Sequence, residues 1–82
     1  MKIIELIFQI DDGMSFKECL EKNEGMVCFA RLKEHPEYCN SGKNPEEAVD
    51  NFFESAKSRN LPTDRSLYQT AVNFEKIEKK KV

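Results

Sequence analysis

The residues of this chain that could do chemistry are three cysteines, Cys19, Cys28 and Cys39, and one histidine, His35. The cysteines are odd in number and none stand in a CxxC spacing, so we expect buried, reduced thiols. A zinc site needs four ligands, and Cys39 and His35 supply only two that are close in sequence. The same pair could form a nucleophile and its base, but no third group stands where it would orient them. Because P-loop, GxGxxG and GxSxG motifs are also missing, the sequence predicts no enzyme, no metal and no other cofactor.

Length and composition predict one small domain. A chain of 82 residues is too short for two cores, and 39% hydrophobic with 34% charged residues is typical of a soluble globular protein. The amino terminus carries acids where a signal peptide would be neutral, and the apolar-rich run at 3–10 is too short to span a bilayer. We therefore predict a single domain over 1–82, located in the cytoplasm and not associated with a membrane.

Charge is unevenly distributed along the chain. Residues 1–56 hold six Lys/Arg and twelve Asp/Glu, a balance of −6, whereas residues 57–82 hold seven and three, a balance of +4. An acidic body attracts a basic partner and repels nucleic acid, and a basic segment does the reverse. Ordinary scatter of solvated surface charge accounts for the same numbers without any partner.

Two segments near the amino terminus predict strands. Residues 2–10 are rich in β-branched side chains and precede an Asp-Asp-Gly turn, and residues 26–34 alternate between a core side of Met26, Cys28, Ala30 and Leu32 and an opposite side. Between them, 15–25 predicts a short helix, because Ser15 and Glu18 form a capping box at its start. An irregular excursion is the alternative for this stretch.

Pairing of those two strands would gather apolar side chains on the face of the sheet opposite the core. These side chains are Ile3, Ile7, Val27 and Phe29. A contiguous apolar patch usually marks an interface, so we expect a homodimer or a larger homo-oligomer formed through it. The alternative is that the short helix folds over part of this face and covers it.

The strongest helix prediction covers residues 44–59. Asn44 suits the N-cap and Pro45 the first helical position, and Ala48, Val49, Phe52, Phe53 and Ala56 repeat as one apolar stripe. The outward side is acidic. Its candidate partner-binding residues are Glu46, Glu47, Asp50 and Glu54. The first two acids also stabilise the positive end of the helix dipole, which explains them without a partner.

The remaining segments complete the predicted fold. Pro36 ends the second strand, residues 38–40 form a short third strand, and residues 66–77 favour a strand over a helix because of their Tyr, Thr, Val and Phe. The prediction is an α+β fold: an antiparallel sheet of three to four strands in the order β-β-β-α-β, with one main helix on one face and a short helical segment between the first two strands. Residues 78–82 are expected to be a flexible basic tail.

Residues 30–48, ARLKEHPEYCNSGKNPEEA, resemble the HicB-like antitoxin pattern ARVPELPGCVSQGDTLEEA over nineteen positions without a gap. Leu32 replaces a valine conservatively, and Asn44 replaces a threonine in the same N-cap role. The identical positions are Ala30, Arg31, Glu34, Pro36, Gly42, Glu46, Glu47 and Ala48. The resemblance implies a β-β-β-α-β fold related to a degenerate RNase H sheet without catalytic carboxylates.

The family resemblance also implies a function. Its members neutralise a small, basic, RNA-cleaving toxin by covering the toxin's active site, so the expectation is a non-enzymatic interaction domain that binds such a toxin. The alternatives are an orphan relative of unknown role and a small nucleic-acid-binding module that uses the basic carboxyl-terminal segment. The candidate residues for nucleic-acid binding are Arg59, Arg65, Lys76, Lys79, Lys80 and Lys81.

Overall fold

A computed structural model describes the backbone of residues 1–76 and the side chains of residues 1–73. This part of the chain contains four strands and two helices, and the α+β class predicted from the sequence is confirmed. The elements are β1 (Lys2–Ile10), α1 (Phe16–Lys22), β2 (Met26–Leu32), β3 (Cys39–Gly42), α2 (Pro45–Ala56) and β4 (Tyr68–Lys76), with a 3-10 turn at Arg65–Leu67. The ambiguous segment near the carboxyl terminus is therefore a strand, and the segment after β1 contains a short helix.

The four strands form one mixed sheet in the order β3-β2-β1-β4. The pairs β1–β2 and β2–β3 are antiparallel, with Ile7 opposite Phe29, whereas β4 is parallel to β1, with Ile7 opposite Asn73. The expectation of a wholly antiparallel sheet is therefore wrong for β4. Two reversals leave β3 running in the direction of β1, and α2 then returns the chain so that β4 enters in that same direction.

Local capping fixes where each helix begins. The Ser15 side chain accepts a hydrogen bond from the Glu18 amide at 3.2 Å, and Asn44 Oδ1 accepts one from the Glu47 amide at 2.8 Å. Pro45 occupies the first turn of α2, where its missing N–H has no helical partner to lose. Both starts predicted from the sequence are confirmed, although α2 ends at Ala56 instead of residue 59.

The core lies between the sheet and both helices, on one face only. The side chain of Phe52 is fully buried, and Phe53 is 8% exposed and contacts the Tyr68 ring edge-on at 4.9 Å between centroids. From α1, the Phe16 ring meets the Phe8 ring at 5.1 Å, again edge-on. Since both helices pack on this face, neither covers the opposite face of the sheet.

The short junction between β3 and α2 brings two backbones into contact. A Cβ atom on Gly42 would lie 2.5 Å from the amide nitrogen of Ala48. Side chains reinforce the same contact, because Asn51 Nδ2 donates to the Ser41 carbonyl oxygen at 2.9 Å and Asn40 Nδ2 donates to Ser55 Oγ at 3.0 Å. The glycine therefore allows the helix to lie directly on the third strand.

We predict that Gly42→Ala lowers the free energy of unfolding by about 1–3 kcal/mol, because the added methyl group must push α2 away from β3. Urea titration followed by circular dichroism measures the change. The matched control is Ser41→Ala, which alters the neighbouring exposed position of the same strand and should change stability by less than about 0.5 kcal/mol. Equal stabilities for the two variants would contradict the close backbone contact.

Candidate functional site

The four acidic side chains predicted to bind a partner all lie on the exposed side of α2, within an arc of about 100°. We call this set, Glu46, Glu47, Asp50 and Glu54, the acidic face. Asp50 is already compensated, because Arg65 Nη2 donates to Asp50 Oδ1 at 2.7 Å. Within the described part of the chain the other three carboxylates have no ion pair. The acidic face therefore presents three uncompensated negative charges on one helix.

Two arginines of the predicted nucleic-acid set make contacts with other residues of the domain. Arg65 lies 4.9 Å above the centre of the Phe53 ring while it pairs with Asp50. Arg59 Nη1 donates to Asn40 Oδ1 at 2.7 Å, and its guanidinium lies 5.3 Å from the centre of the Tyr38 ring. These contacts give both arginines a structural role that the sequence did not reveal.

The lysines of the predicted nucleic-acid set lie outside the part of the chain whose side chains are described. Lys76 ends β4, but its side chain is outside the described side chains. Lys79, Lys80 and Lys81, and with them the expected basic tail, lie outside the described residues. The structure therefore brings no cluster of the predicted nucleic-acid-binding side chains together within residues 1–73.

The sheet face opposite the helices, which we call the outer face, carries the apolar side chains predicted to mediate self-association. No element among residues 1–76 covers it, because α1 packs on the core face. The patch is less exposed than expected: Ile7 is only 5% exposed, Ile3 and Phe29 are half-buried, and Val27 is 40% exposed. Most of the surface of this patch is thus already buried within a single copy of the chain.

An ion pair interrupts the same patch. Arg31 Nη2 lies 3.4 Å from Glu5 Oε1, and the two residues stand directly opposite each other on β2 and β1. On β1, Glu5 separates Ile3 from Ile7 on the outer face. The Arg31 Nε atom is buried without a hydrogen-bond partner. Opposite charges at facing strand positions become recognisable only once the strand register is known, so sequence reasoning missed this pair.

Two shallow hollows flank the first turn of α2, on either side of the acidic face. One has a volume of about 420 Å³ and the other about 240 Å³. The larger is lined by Leu20, Asn23, Asn44, Pro45 and Glu46. The smaller is lined by Met26, Val27, Ser41, Gly42, Lys43 and Glu47. The larger hollow combines the apolar side chains of Leu20 and Pro45 with the carboxylate of Glu46, whereas the smaller one carries both the Glu47 carboxylate and the Lys43 ammonium.

The thiols fall into two groups. Cys19 and Cys28 are fully buried, and burial raises the pKa of Cys19 and raises that of Cys28 to about 11. Cys39 is exposed, contrary to the expectation of three buried thiols, and it faces Arg31 across the strand pair. The ring of His35 instead pairs with Glu37, with Nδ1 3.3 Å from Oε1. Within residues 1–76, no three His, Cys, Asp or Glu side chains gather in a way that could hold a metal ion.

The fold and these surfaces define a two-layer α+β domain with an acidic helix on one side and an open sheet face on the other. Neither described helix has the length and apolar character needed to cross a membrane. No family model matches the chain, and no curated protein and no solved structure matches it. The residues and surfaces of the molecule are therefore the basis for any functional assignment.

We predict that stability falls as the pH rises from 9.0 towards about 11, partly through Cys28. Burial favours the neutral thiol and raises the pKa of Cys28 from 9.0 in the unfolded chain to about 11 in the folded protein. The neutral thiol therefore contributes its full stabilisation below pH 9.0, and this contribution is lost as the pH rises towards 11. Urea titrations across this range should show a steeper loss for the natural protein than for Cys28→Ala. Parallel losses in the two proteins would contradict a buried thiol at this position.

Proposed function

We propose that this chain is a non-enzymatic protein-interaction domain of the HicB-like antitoxin type, which binds a small basic RNA-cleaving protein through the acidic face of α2. The observation that supports it most is the set of exposed and uncompensated carboxylates of Glu46, Glu47 and Glu54 on a helix held firmly against the sheet. Complementary charge steers a basic partner to such a surface and repels RNA from it.

The position of the matching motif in the fold supports a shared architecture. Residues 30–48 run from β2 through β3 into the first turn of α2, and the strands and main helix follow the chain order that the resemblance implies. Gly42 and Ala48, both identical to the pattern, meet at the contact between β3 and α2. These matches concern packing more than recognition, and it is the acidic face that would attract a basic partner.

Of the four acids, Glu54 is the one whose negative charge contributes least to the stability of α2. Glu46 and Glu47 lie in the first turn of α2, where negative charge interacts favourably with the helix dipole. Glu54 lies in the last turn, where negative charge is unfavourable, and no basic residue occupies that turn. Because its own helix does not favour this exposed carboxylate, we assign Glu54 the central place in partner binding.

The test is co-expression with the protein encoded by the neighbouring reading frame, provided that protein is small and basic. We predict a complex that suppresses RNA cleavage by the partner, and that Glu46→Gln, Glu47→Gln and Glu54→Gln together weaken binding by a factor of ten or more, about 1.4 kcal/mol. Isothermal titration calorimetry at low and high salt measures the affinity. Raising the salt should weaken the natural complex more than the complex of the triple variant.

A second triple variant serves as the matched control. Asp12→Asn, Glu24→Gln and Glu34→Gln remove the same charge from exposed positions outside α2 and should leave the affinity within about twofold. Equal weakening by both triple variants would show that net charge, and not the acidic face, determines binding. Tight and salt-dependent binding of RNA or DNA by the isolated protein would instead support the nucleic-acid alternative and overturn the proposal.

A further inference from the structure

The outer edge of β4 is an unprotected strand edge. Within residues 1–76, β4 is the last strand of the sheet on its side, and nothing pairs with its outer edge. Its register with β1 is continuous from Lys2 opposite Tyr68 to Ile10 opposite Lys76, so the strand contains no bulge. Residues 68–74 also contain no proline and no charge. Bulges, prolines and charged side chains are the usual protection of such edges, and most of β4 has none of them.

The helix layer covers Tyr68 at the start of β4 but leaves the middle of the strand uncovered. Helix α2 packs mainly over β3 and β2, at the other side of the sheet. Val72, which faces the helix side because it stands opposite Leu6, is consequently 59% exposed, and Thr70 on the same side is exposed too. Leu6 itself is buried. The edge thus combines free backbone donors and acceptors with an exposed apolar side chain at its centre.

We infer that this edge is paired by the β4 strand of a second copy of the chain, running antiparallel about a two-fold axis at Val72. Val72 is the midpoint of the nine residues of β4, so an axis at this residue pairs the whole strand, which is about 30 Å long. An axis at any other residue would leave part of the strand unpaired. The result is one continuous eight-stranded sheet with the helices of both copies on the same face.

The sequence of β4 suits this self-pairing at the centre of the strand and at its ends. The Val72 side chains of the two copies meet at the axis, where each covers the other's exposed surface. Ala71 stands opposite Asn73 of the second copy, so the outer face gains only small side chains at the centre. Towards the ends, Glu75 is opposite Gln69 and Lys76 is opposite Tyr68, so like charges never face each other.

The opposite edge of the sheet does not offer the same pairing. The strand β3 has four residues, Cys39–Gly42, against nine in β4. Two of those four residues, Asn40 and Gly42, lie on the helix side in contact with α2 or its side chains.

Self-association through the β4 edge is independent of partner binding by the acidic face, because the two surfaces share no residue.

Disulfide crosslinking tests the position of the axis. Directly opposed residues of an antiparallel pair stand close enough for a disulfide bond. In a Cys39→Ser background, which removes the exposed thiol, Val72→Cys should form a covalent dimer under mild oxidation as the main product. The matched control, Val27→Cys in the same background, places the thiol on the outer face and should crosslink at least tenfold more slowly. Failure of Val72→Cys to crosslink, or crosslinking through Val27 at an equal or higher rate, would overturn the inference.

A charge exchange at the same position provides a second test that does not depend on oxidation. Val72→Lys alone and Val72→Glu alone each place like charges at the axis, so sedimentation should show the loss of the dimer formed by the natural protein. Mixing the two variants should restore a dimer, because the opposite charges then face each other. Circular dichroism confirms that both variants remain folded, as expected for an exposed side chain. A natural protein that stays monomeric, or a mixture that does not associate, contradicts pairing about Val72.

Discussion

The structure depends above all on the contact between two aromatic residues of α2 and one of β4. Phe52 is fully buried, and Phe53 and Phe52 meet the Tyr68 ring edge-on, at 4.9 and 6.0 Å between ring centroids. The Tyr68 hydroxyl donates a hydrogen bond to the Pro62 carbonyl oxygen at 2.7 Å. This cluster therefore joins the main helix, the connection that follows it and the start of the last strand. Edge-on aromatic pairs contribute about 0.5–1.5 kcal/mol beyond the burial of their surface, which is a large share in so small a domain.

The orientation of α2 follows from this contact and determines which surfaces the molecule presents. With Phe52 and Phe53 turned towards the sheet, the opposite side of the helix must present its acids to solvent. Arg65 lies over Phe53 and neutralises Asp50, so the aromatic cluster also decides which carboxylates remain uncompensated. Since α1 lies on the same side of the sheet, the outer face and the β4 edge stay open. Packing on one face thus leaves the acidic face, the outer face and the β4 edge exposed.

Local sequence patterns predicted most of the individual elements. The Asn44 cap, the proline after it and the apolar stripe define α2 within a few residues, because capping and helical periodicity depend on neighbours in the chain. The parallel placement of β4 could not be predicted in this way, because nothing local to residues 68–76 records which strand they join or in which direction. The central position of Ile7 could not be predicted locally either, because it depends on β2 and β4 pairing with the two sides of β1.

The candidate surfaces were predictable only as far as they follow from helix periodicity. The acidic face was placed correctly, because helical spacing alone brings those acids together. The roles of Arg59 and Arg65 could not be predicted, because each arginine contacts residues that are distant in sequence and are brought near only by folding. In the sequence a basic residue near the carboxyl terminus suggests nucleic-acid binding, whereas in the structure these two stabilise the helix layer. The β4 edge was missed because exposure of Val72 depends on the lateral position of α2.

The most direct test of the central contact is nuclear magnetic resonance on isotopically labelled protein, measuring nuclear Overhauser effects among the aromatic rings. The fold described here predicts cross-peaks from the Tyr68 ring to the rings of both Phe52 and Phe53, because the rings meet edge to face. Cross-strand contacts between β1 and β4 should appear in the parallel register of Ile4 opposite Thr70. A Tyr68 ring without cross-peaks to either phenylalanine would contradict the docking of α2 and, with it, the assignment of every surface derived from that orientation.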